Sequence, residues 1–567
     1  MATRHLQFWP SVPSSLTIPE TSLWVNAEVS ATRFPGRTCI NFYDSIVTFA
    51  ELRREAERLA GYLQTVCGVR RGDRVALYLQ NCPQFVIGYY AILRADAMVV
   101  PINPMNLTKE VGHIVTDSGA TVLIGAQDQL SRVEPLVGHG LAHVIVACYA
   151  DYLKTPTDLD VPSWITAPRQ PLVAGTAPGV TLWSDAIAAG ASPGPHLATA
   201  DDLCVMPYTS GTTGQPKGCV HRHRNVMFTT VAVPQWNRVY QDECTLAVLP
   251  YFHVTGMQNS MNSPIYSGSP IVMLPRWDRG VAARLIKRYR VTSLSTVPTM
   301  VVDLLSSPDI ASYDLSSIRW LGGGGAAMPE AIAQKLHDLC GITFIEGYGL
   351  TETMAPSHIN PPQRPKKQCL GIPIFNTESR VVTPDTMAEL PPGEVGEIVT
   401  CGPQVFDGYW NNPEANAACF VEIDGKRFFR TGDLGRTDED GYFFLVDRLK
   451  RMINVAGFKV WPAEVEAMLY AHPAIQEAVI ISMKDARRGE AVKAVVVLKP
   501  AARGEVDEVQ LVHWARDNMA AYKVPASFEL ADALPKSATG KILWRVLQEK
   551  ELEKDLVNEQ ANEPTQA

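Results

Sequence analysis

No Cys-x-x-Cys pair occurs in this chain, and its eleven cysteines, at 39, 67, 82, 148, 204, 219, 244, 340, 369, 401 and 419, form no His/Cys cluster at zinc-ligand spacing. No metal site is encoded by cysteine, and the thiols read as reduced, mostly buried small hydrophobes. Basic charge is also scarce. With 51 Lys+Arg against 59 Asp+Glu and a formal net charge of -8, the chain lacks the dense basic face that phosphate-backbone binding needs, so no nucleic-acid partner is expected. No apolar run approaches the roughly 18 residues of a membrane span. The opening Met1-Ala-Thr-Arg-His-Leu-Gln-Phe-Trp-Pro10 has no signal-peptide core. A cytoplasmic protein without a transmembrane segment is expected. No internal repeat is visible.

What is present is an ordinary soluble globular composition, 46% apolar over 567 residues, long enough for more than one core. Helical and strand periods alternate from about residue 25. Thr48-Phe-Ala-Glu51 is a capping-box arrangement, and it predicts a helix with Leu52, Ala56, Leu59 and Leu63 on one face. Strands are predicted over Arg74–Leu79 and Met98–Ile102, with a helix from about Pro83 to Ala95 between them. That is a βαβ unit with a parallel sheet. Thr121–Ile124 and His143–Val146 continue the rhythm. Residues 152–200, rich in Pro, Thr, Ala and Gly, are predicted to be a long surface excursion.

Next comes Pro207-Tyr-Thr-Ser-Gly-Thr-Thr-Gly-Gln-Pro-Lys-Gly218. Gly211 and Gly214 let the backbone turn its N–H groups onto an anion. Ser210, Thr212 and Thr213 add rotatable donors, and Lys217 adds a compact positive charge. The mixture suits a polyphosphate, although it is not a Walker loop, and taken alone it is as readily a solvated turn. A strand predicted over Cys244–Leu249 ends in Pro250-Tyr-Phe-His-Val-Thr-Gly256, and strand termini of this kind line ligand clefts in α/β sheets. By itself His253 reads more readily as a satisfied core histidine than as a ligand contact. The glycines at 322–325 leave backbone bare for something flat to lie against. Thr343-Phe-Ile-Glu-Gly-Tyr-Gly-Leu-Thr-Glu-Thr353 sets Tyr348, able to stack on a base, before Glu352, able to hold a hydrated magnesium ion. After the charged joint at 447–451 shorter elements predict a small α+β domain. They are a helix over Pro462–Tyr470, a strand over Val492–Leu498 and a helix over Val509–Asn518, and beyond Lys554 the tail reads as disordered.

Five stretches in this order resemble the adenylate-forming superfamily of acyl-CoA synthetases, luciferases and peptide-synthetase adenylation domains. They are residues 208–218, 347–353, Arg430-Thr-Gly-Asp-Leu-Gly435, Asp447-Arg-Leu-Lys-Arg-Met-Ile453 and Pro535-Lys-Ser-Ala-Thr-Gly-Lys541. The resemblance covers roughly residues 25 to 550. It implies an α/β fold with a large N-terminal domain of parallel-rich sheets, 1–447, and a small mobile α+β C-terminal domain, 448–567, disordered from about 555.

The resemblance also assigns roles. Thr209, Ser210, Gly211, Thr212, Thr213, Gly214 and Lys217 would hold the β- and γ-phosphates of ATP. Gly325 and Ala326 with Tyr348 would bracket adenine, and Glu346, Gly347 and Gly349 would belong to the same nucleotide site. Glu352 would bind Mg²⁺, and Asp433 would fix the ribose with Arg448 beside it. Lys541 would reach the α-phosphate and the acid carboxylate, and with Glu352, Thr351 and His253 it makes the catalytic set. Once pyrophosphate has left, the small domain would turn about Lys450 and present Gly457-Phe458-Lys459 to CoA. The run Ala326-Ala327-Met328 departs from the Ala-Pro-Leu of many relatives.

Amino-acid-activating relatives place an aspartate where this chain has Tyr251-Phe-His253, and without it a buried ammonium would be unpaired. The reading is therefore an ATP-dependent carboxylic acid:CoA ligase, with a fatty acid as the substrate expected and a homodimer as one compatible assembly. An aryl-CoA ligase is the alternative. A non-catalytic nucleotide-binding protein is the remote one.

Overall fold

The computed structural model describes every residue except 1–3, 11, 174, 210–215, 326, 449–450, 456–457, 486–488, 538–541 and 562–567. For residues 4, 8, 448, 458, 459 and 555–561 only the backbone is described. By its internal contacts the chain forms two compact units, one of Met1–Ser379 with Thr400–Phe429 and one of Arg380–Val399 with Arg430–Ala567.

The larger unit is built on two 9-stranded sheets. In one, Arg74–Tyr78, Met98–Pro101, Val122–Ala126 and His143–Ala147 run parallel. Lys217–Arg222 joins this sheet antiparallel to Leu203–Val205, and Gly408–Tyr409 pairs with its other side. In the second sheet Ile271–Met273, Thr245–Ala247, Ser293–Thr296, Trp320–Gly323 and Phe344–Tyr348 run parallel. The antiparallel pieces His358–Ile359 and Ile372–Pro373 close one edge. The expected βαβ unit is present, with the helix at Pro83–Arg94. Every residue of that helix from Pro83 to Leu93 is buried, which places it inside the unit's core rather than on a face. Helix Phe49–Thr65 begins as expected: the Thr48 hydroxyl accepts from Glu51 N–H, and the Glu51 carboxylate accepts from Thr48 N–H. Leu52, Ala56, Leu59 and Leu63 are buried on one side.

The excursion expected over 152–200 is more ordered than its composition indicates. Val180–Leu182 adds a parallel strand beside His143–Ala147, and helix Trp183–Ala188 follows. Trp183 is buried, and its Nε1–H donates to the Tyr152 hydroxyl at 3.3 Å. Elements this short carry no readable periodicity, and it is the neighbouring strand that imposes their structure.

The smaller unit is α+β. Ile475–Asp485 and Gly489–Leu498 form a long antiparallel pair, and Ser527–Leu530 adds a parallel strand. The helices Pro462–Leu469 and Glu508–Asn518 close over a core that includes Val465, Leu469, Ile480, Val496, Leu511 and Phe528. At the C-terminus the backbone is helical from Trp544 to Ala561, past residue 554, where polarity pointed to disorder. Glu, Lys and Gln are good helix formers. The helix is also docked, by Lys493 Nζ 2.6 Å from the Glu551 carboxylate and by Gln548 Nε2 2.8 Å from Ser482 O.

Candidate active site

In the larger unit Thr209 stands opposite Lys217 and Tyr208 opposite Gly218 in an antiparallel pair. Residues 210–215 lie outside the described residues, and Thr209 and Lys217 are fixed by this pairing. Tyr208 is anchored further by its hydroxyl, which donates to Asp117 Oδ2 at 2.6 Å. The strand from Lys217 pairs on its other side with Gly408–Tyr409, Cys219 facing Tyr409. Lys217 and Cys219 share a face because side chains alternate along a strand. Lys217 Nζ accordingly lies 4.5 Å from the centre of the Tyr409 ring.

Glu352 sits in the short turn Thr351–Thr353 and is buried. Its carboxylate accepts from the Tyr409 hydroxyl at 2.7 Å, and its carbonyl accepts from Phe406 N–H at 2.9 Å. The neighbouring Thr351 carbonyl lies 2.8 Å from His221 Nε2. A carbonyl only accepts, so Nε2 carries the proton of that imidazole. Burial lowers the His221 pKa to about 4, opposed by the bond to Thr351, and the ring is neutral at physiological pH. Burial, followed by the charge of Glu352, raises the Tyr409 pKa, so its hydroxyl stays a donor. The sequence reading missed Tyr409, His221 and Phe406. Only the aromatic run Phe406-Asp-Gly-Tyr-Trp410 marked that segment, and no local pattern discloses its register against the strand from Lys217.

The glycine cluster stands at the carboxyl ends of the second sheet's parallel strands. A Cβ on Gly324 would lie 2.3 Å from Gly347 O, and Gly325 has φ +85 with open space around it. Ala326 lies outside the described residues. Tyr348 is buried with its ring 5.5 Å from that of His358, and Gly349 packs against Ala355 and Pro356. Glu346 faces backbone: Oε1 accepts from Met328 N–H at 2.9 Å and Oε2 from Cys369 N–H at 3.1 Å. Burial raises its pKa against those bonds. His253 caps the short helix Val254–Met257, its Nδ1 accepting from Thr255 N–H at 3.3 Å.

The remaining predicted residues belong to the smaller unit. Asp433 is 2% exposed, and in the register of its ribbon it faces Arg448, of which only the backbone is described. The strand stretch before Asp433 is pinned by the buried Glu397, whose carboxylate takes Arg430 Nη2 at 2.6 Å and Gly432 N–H at 3.2 Å. Thr431 Oγ1 donates to Ile398 O at 2.6 Å and accepts from Asp433 N–H at 3.1 Å. Phe458 is described by its backbone alone, while Lys450, Gly457 and Lys541 lie outside the described residues.

Among the described residues no group of three His, Cys, Asp or Glu could hold a metal ion. Glu352 supplies a single buried carboxylate, and that donor set fits Mg²⁺, which is bound through one or two carboxylates, waters and substrate phosphates. Among the same residues no helix is long and apolar enough to cross a membrane.

Bare glycine backbone, aromatic rings and a carboxylate at the ends of parallel strands define an α/β protein of the kind that places its ligands beyond the carboxyl ends of its strands. The AMP-binding enzyme family matches residues 27–410, and the AMP-binding enzyme C-terminal domain matches residues 464–541. The chain is 35% identical over 551 residues to a long-chain-fatty-acid–CoA ligase of Bacillus subtilis (strain 168), covering 96% of this chain and 97% of that one. It is 35% identical over 516 residues to a feruloyl-CoA synthase of an Amycolatopsis species, covering 90% and 95%. ATP-bound MatB from Rhodopseudomonas palustris superposes with a TM-score of 0.80 at 28% identity, covering 93% of this chain and 99% of that one. The chain belongs to the AMP-binding enzyme family, within the adenylate-forming acyl-CoA synthetases, and is an acid–thiol ligase.

Proposed function

We propose that the acid is a fatty acid. The reading rests on one observation, the likeness to the Bacillus subtilis ligase, which runs through 96% of this chain. The segment Tyr251–Gly256 supports it: no carboxylate stands there to pair an ammonium, so an uncharged acyl chain suits it better than an amino acid. The eleven cysteines are all free, in keeping with action in the cytoplasm.

In this reading the stretch from Thr209 to Lys217 cradles the β- and γ-phosphates, Gly325 and Ala326 with Tyr348 bracket the adenine, and Asp433 holds the ribose. Glu352 holds Mg²⁺, which when bound offsets the negative charge of the triphosphate. Lys541 neutralises the acid carboxylate and the α-phosphate as they approach, since two anions meet only across such a cation. A carboxylate oxygen bonds to the α-phosphorus as the bond to pyrophosphate breaks. The CoA sulfur then bonds to the acyl carbon as AMP leaves, the thiol proton passing to solvent. The C-terminal domain, 448–567, turns about Lys450 between the steps to bring Gly457 and Phe458 to the thiol.

The aryl alternative draws on a different observation. Asn259 lies in the helical segment Gln258–Asn262, which follows Tyr251–Met257 and which the family resemblance counts among the acyl-pocket walls. Its Oδ1 is buried without a hydrogen-bond partner among the described residues, an acceptor that a ring hydroxyl would satisfy and an alkyl chain would not. Acids of short, long and aromatic type, compared by ATP- and CoA-dependent AMP formation, separate the two. A long-chain acid giving the highest kcat/KM is the expected result, and a hydroxylated aromatic acid exceeding it by tenfold would overturn the fatty-acid reading.

A further inference from the structure

Tyr409 meets two charged side chains that the proposed mechanism uses separately. Its hydroxyl is 2.7 Å from Glu352 Oε1, and Lys217 Nζ is 4.5 Å from its ring centre. The residue is also tightly held. Asn416 Oδ1 accepts from Tyr409 N–H at 2.6 Å and its Nδ2 donates to Tyr409 O at 2.9 Å. Phe406 packs edge-on to the ring at 4.9 Å, and Cys219 stands across the strand pair. A Cβ on Gly408 would lie 2.8 Å from Asn416 Oδ1, so a side chain there would press on the amide that holds Tyr409.

We propose that Tyr409 is a positioning residue of the ligase reaction, its hydroxyl aiming the Glu352 carboxylate and its ring face seating Lys217 Nζ. This rests on the reading of Glu352 as a Mg²⁺ ligand and Lys217 as a phosphate contact. A phenol that donates to a carboxylate orients it without neutralising it. The ring face attracts the Lys217 ammonium through its own quadrupole, which a phenylalanine keeps. The two charges therefore meet one rigid side chain at different places, the edge and the face.

The test compares the full chain with Tyr409→Phe, Tyr409→Leu and Glu352→Gln. Calorimetric ATP binding is followed in EDTA and across a MgCl₂ series, with a thermal melt of each protein. Tyr409→Phe keeps the ring and removes the hydroxyl. It is expected to raise the Mg²⁺ needed for half-maximal tightening of ATP binding by about tenfold, with metal-free ATP affinity at the wild-type value and a melting temperature lowered only by the donor that the buried carboxylate loses. Tyr409→Leu is expected to weaken metal-free ATP binding as well, because Lys217 loses its seat. Tyr409→Phe with wild-type Mg²⁺ dependence, while Glu352→Gln shifts it, overturns the positioning role. Equal weakening of metal-free and Mg²⁺-bound ATP in Tyr409→Phe also overturns it. Wild-type Mg²⁺ dependence in Glu352→Gln instead overturns the metal reading beneath it.

Discussion

A β-carbon on Gly324 would stand 2.3 Å from the carbonyl oxygen of Gly347. Two segments that the ligase reading places around adenine thus touch backbone to backbone. Gly324→Ala must push them apart, at a cost of about 3 kcal/mol or more, and raise the KM for ATP. Gly325 has φ +85 and open space, so Gly325→Ala carries only the left-handed strain of about 1–2 kcal/mol. Urea denaturation of the two variants ranks them, and the opposite order would contradict the close approach.

Arg430 and Glu397 make the next expectation. The Glu397 side chain is 2% exposed and its carboxylate lies 2.6 Å from the Arg430 guanidinium. Arg430→Met leaves a buried carboxylate without its cation, costing about 3 kcal/mol. Because Glu397 also fixes the Gly432 N–H, the strand stretch before Asp433 loosens, and the KM for ATP should rise more than the KM for the acid. Steady-state kinetics with each substrate varied in turn reads the split, and an equal rise in both would assign the pair to stability alone.

Lys541 gives the sharpest kinetic test of alternating half-reactions. Lys541→Ala should slow acyl-adenylate formation by about 10²–10³-fold and leave thioester formation from supplied acyl-adenylate and CoA nearly unchanged. A normally melting variant impaired equally in both steps would sink the alternation.

Three buried histidines set a pH dependence. Burial lowers His221 from 6.5 to about 4 and His358 to about 3, while burial and then the His196 charge lower His223 to about 3. Each folded-state value lies below the unfolded one. Between pH 6.5 and the folded value the unfolded chain binds a proton that the folded chain refuses, so stability is complete above pH 6.5 and falls as pH falls through this window. Melting temperature should drop steadily from pH 6.5 toward 4. His358→Asn should flatten the free-energy slope by about 1.4 kcal/mol per pH unit, and an unchanged slope would place its titration elsewhere.

What the sequence disclosed was local. The Thr48–Glu51 box, the strands around Val75 and Val99 and the helix from Pro83 each rest on residues within one turn or one strand, and all are present. Val180–Leu182 was missed because its three residues acquire strand geometry from Val144–Val146. Helix Trp544–Ala561 runs past residue 554 because Glu, Lys and Gln, read there as a disordered polar tail, are also good helix formers. At the candidate site the glycines and Glu352 were legible as residue types suited to phosphate and metal. Tyr409 was not, since its pairing with Cys219 is fixed by the fold and written in no short motif.

The two units are interleaved along the chain, which crosses between them at 379/380, 399/400 and 429/430. On the ribosome, then, the first piece of the smaller unit is made before residues 400–429 of the larger one. Glu397 emerges 33 positions ahead of Arg430, a wait of about 2–7 s at 5–20 residues per second. During that interval the acid that will be buried has only water and passing chaperones for company.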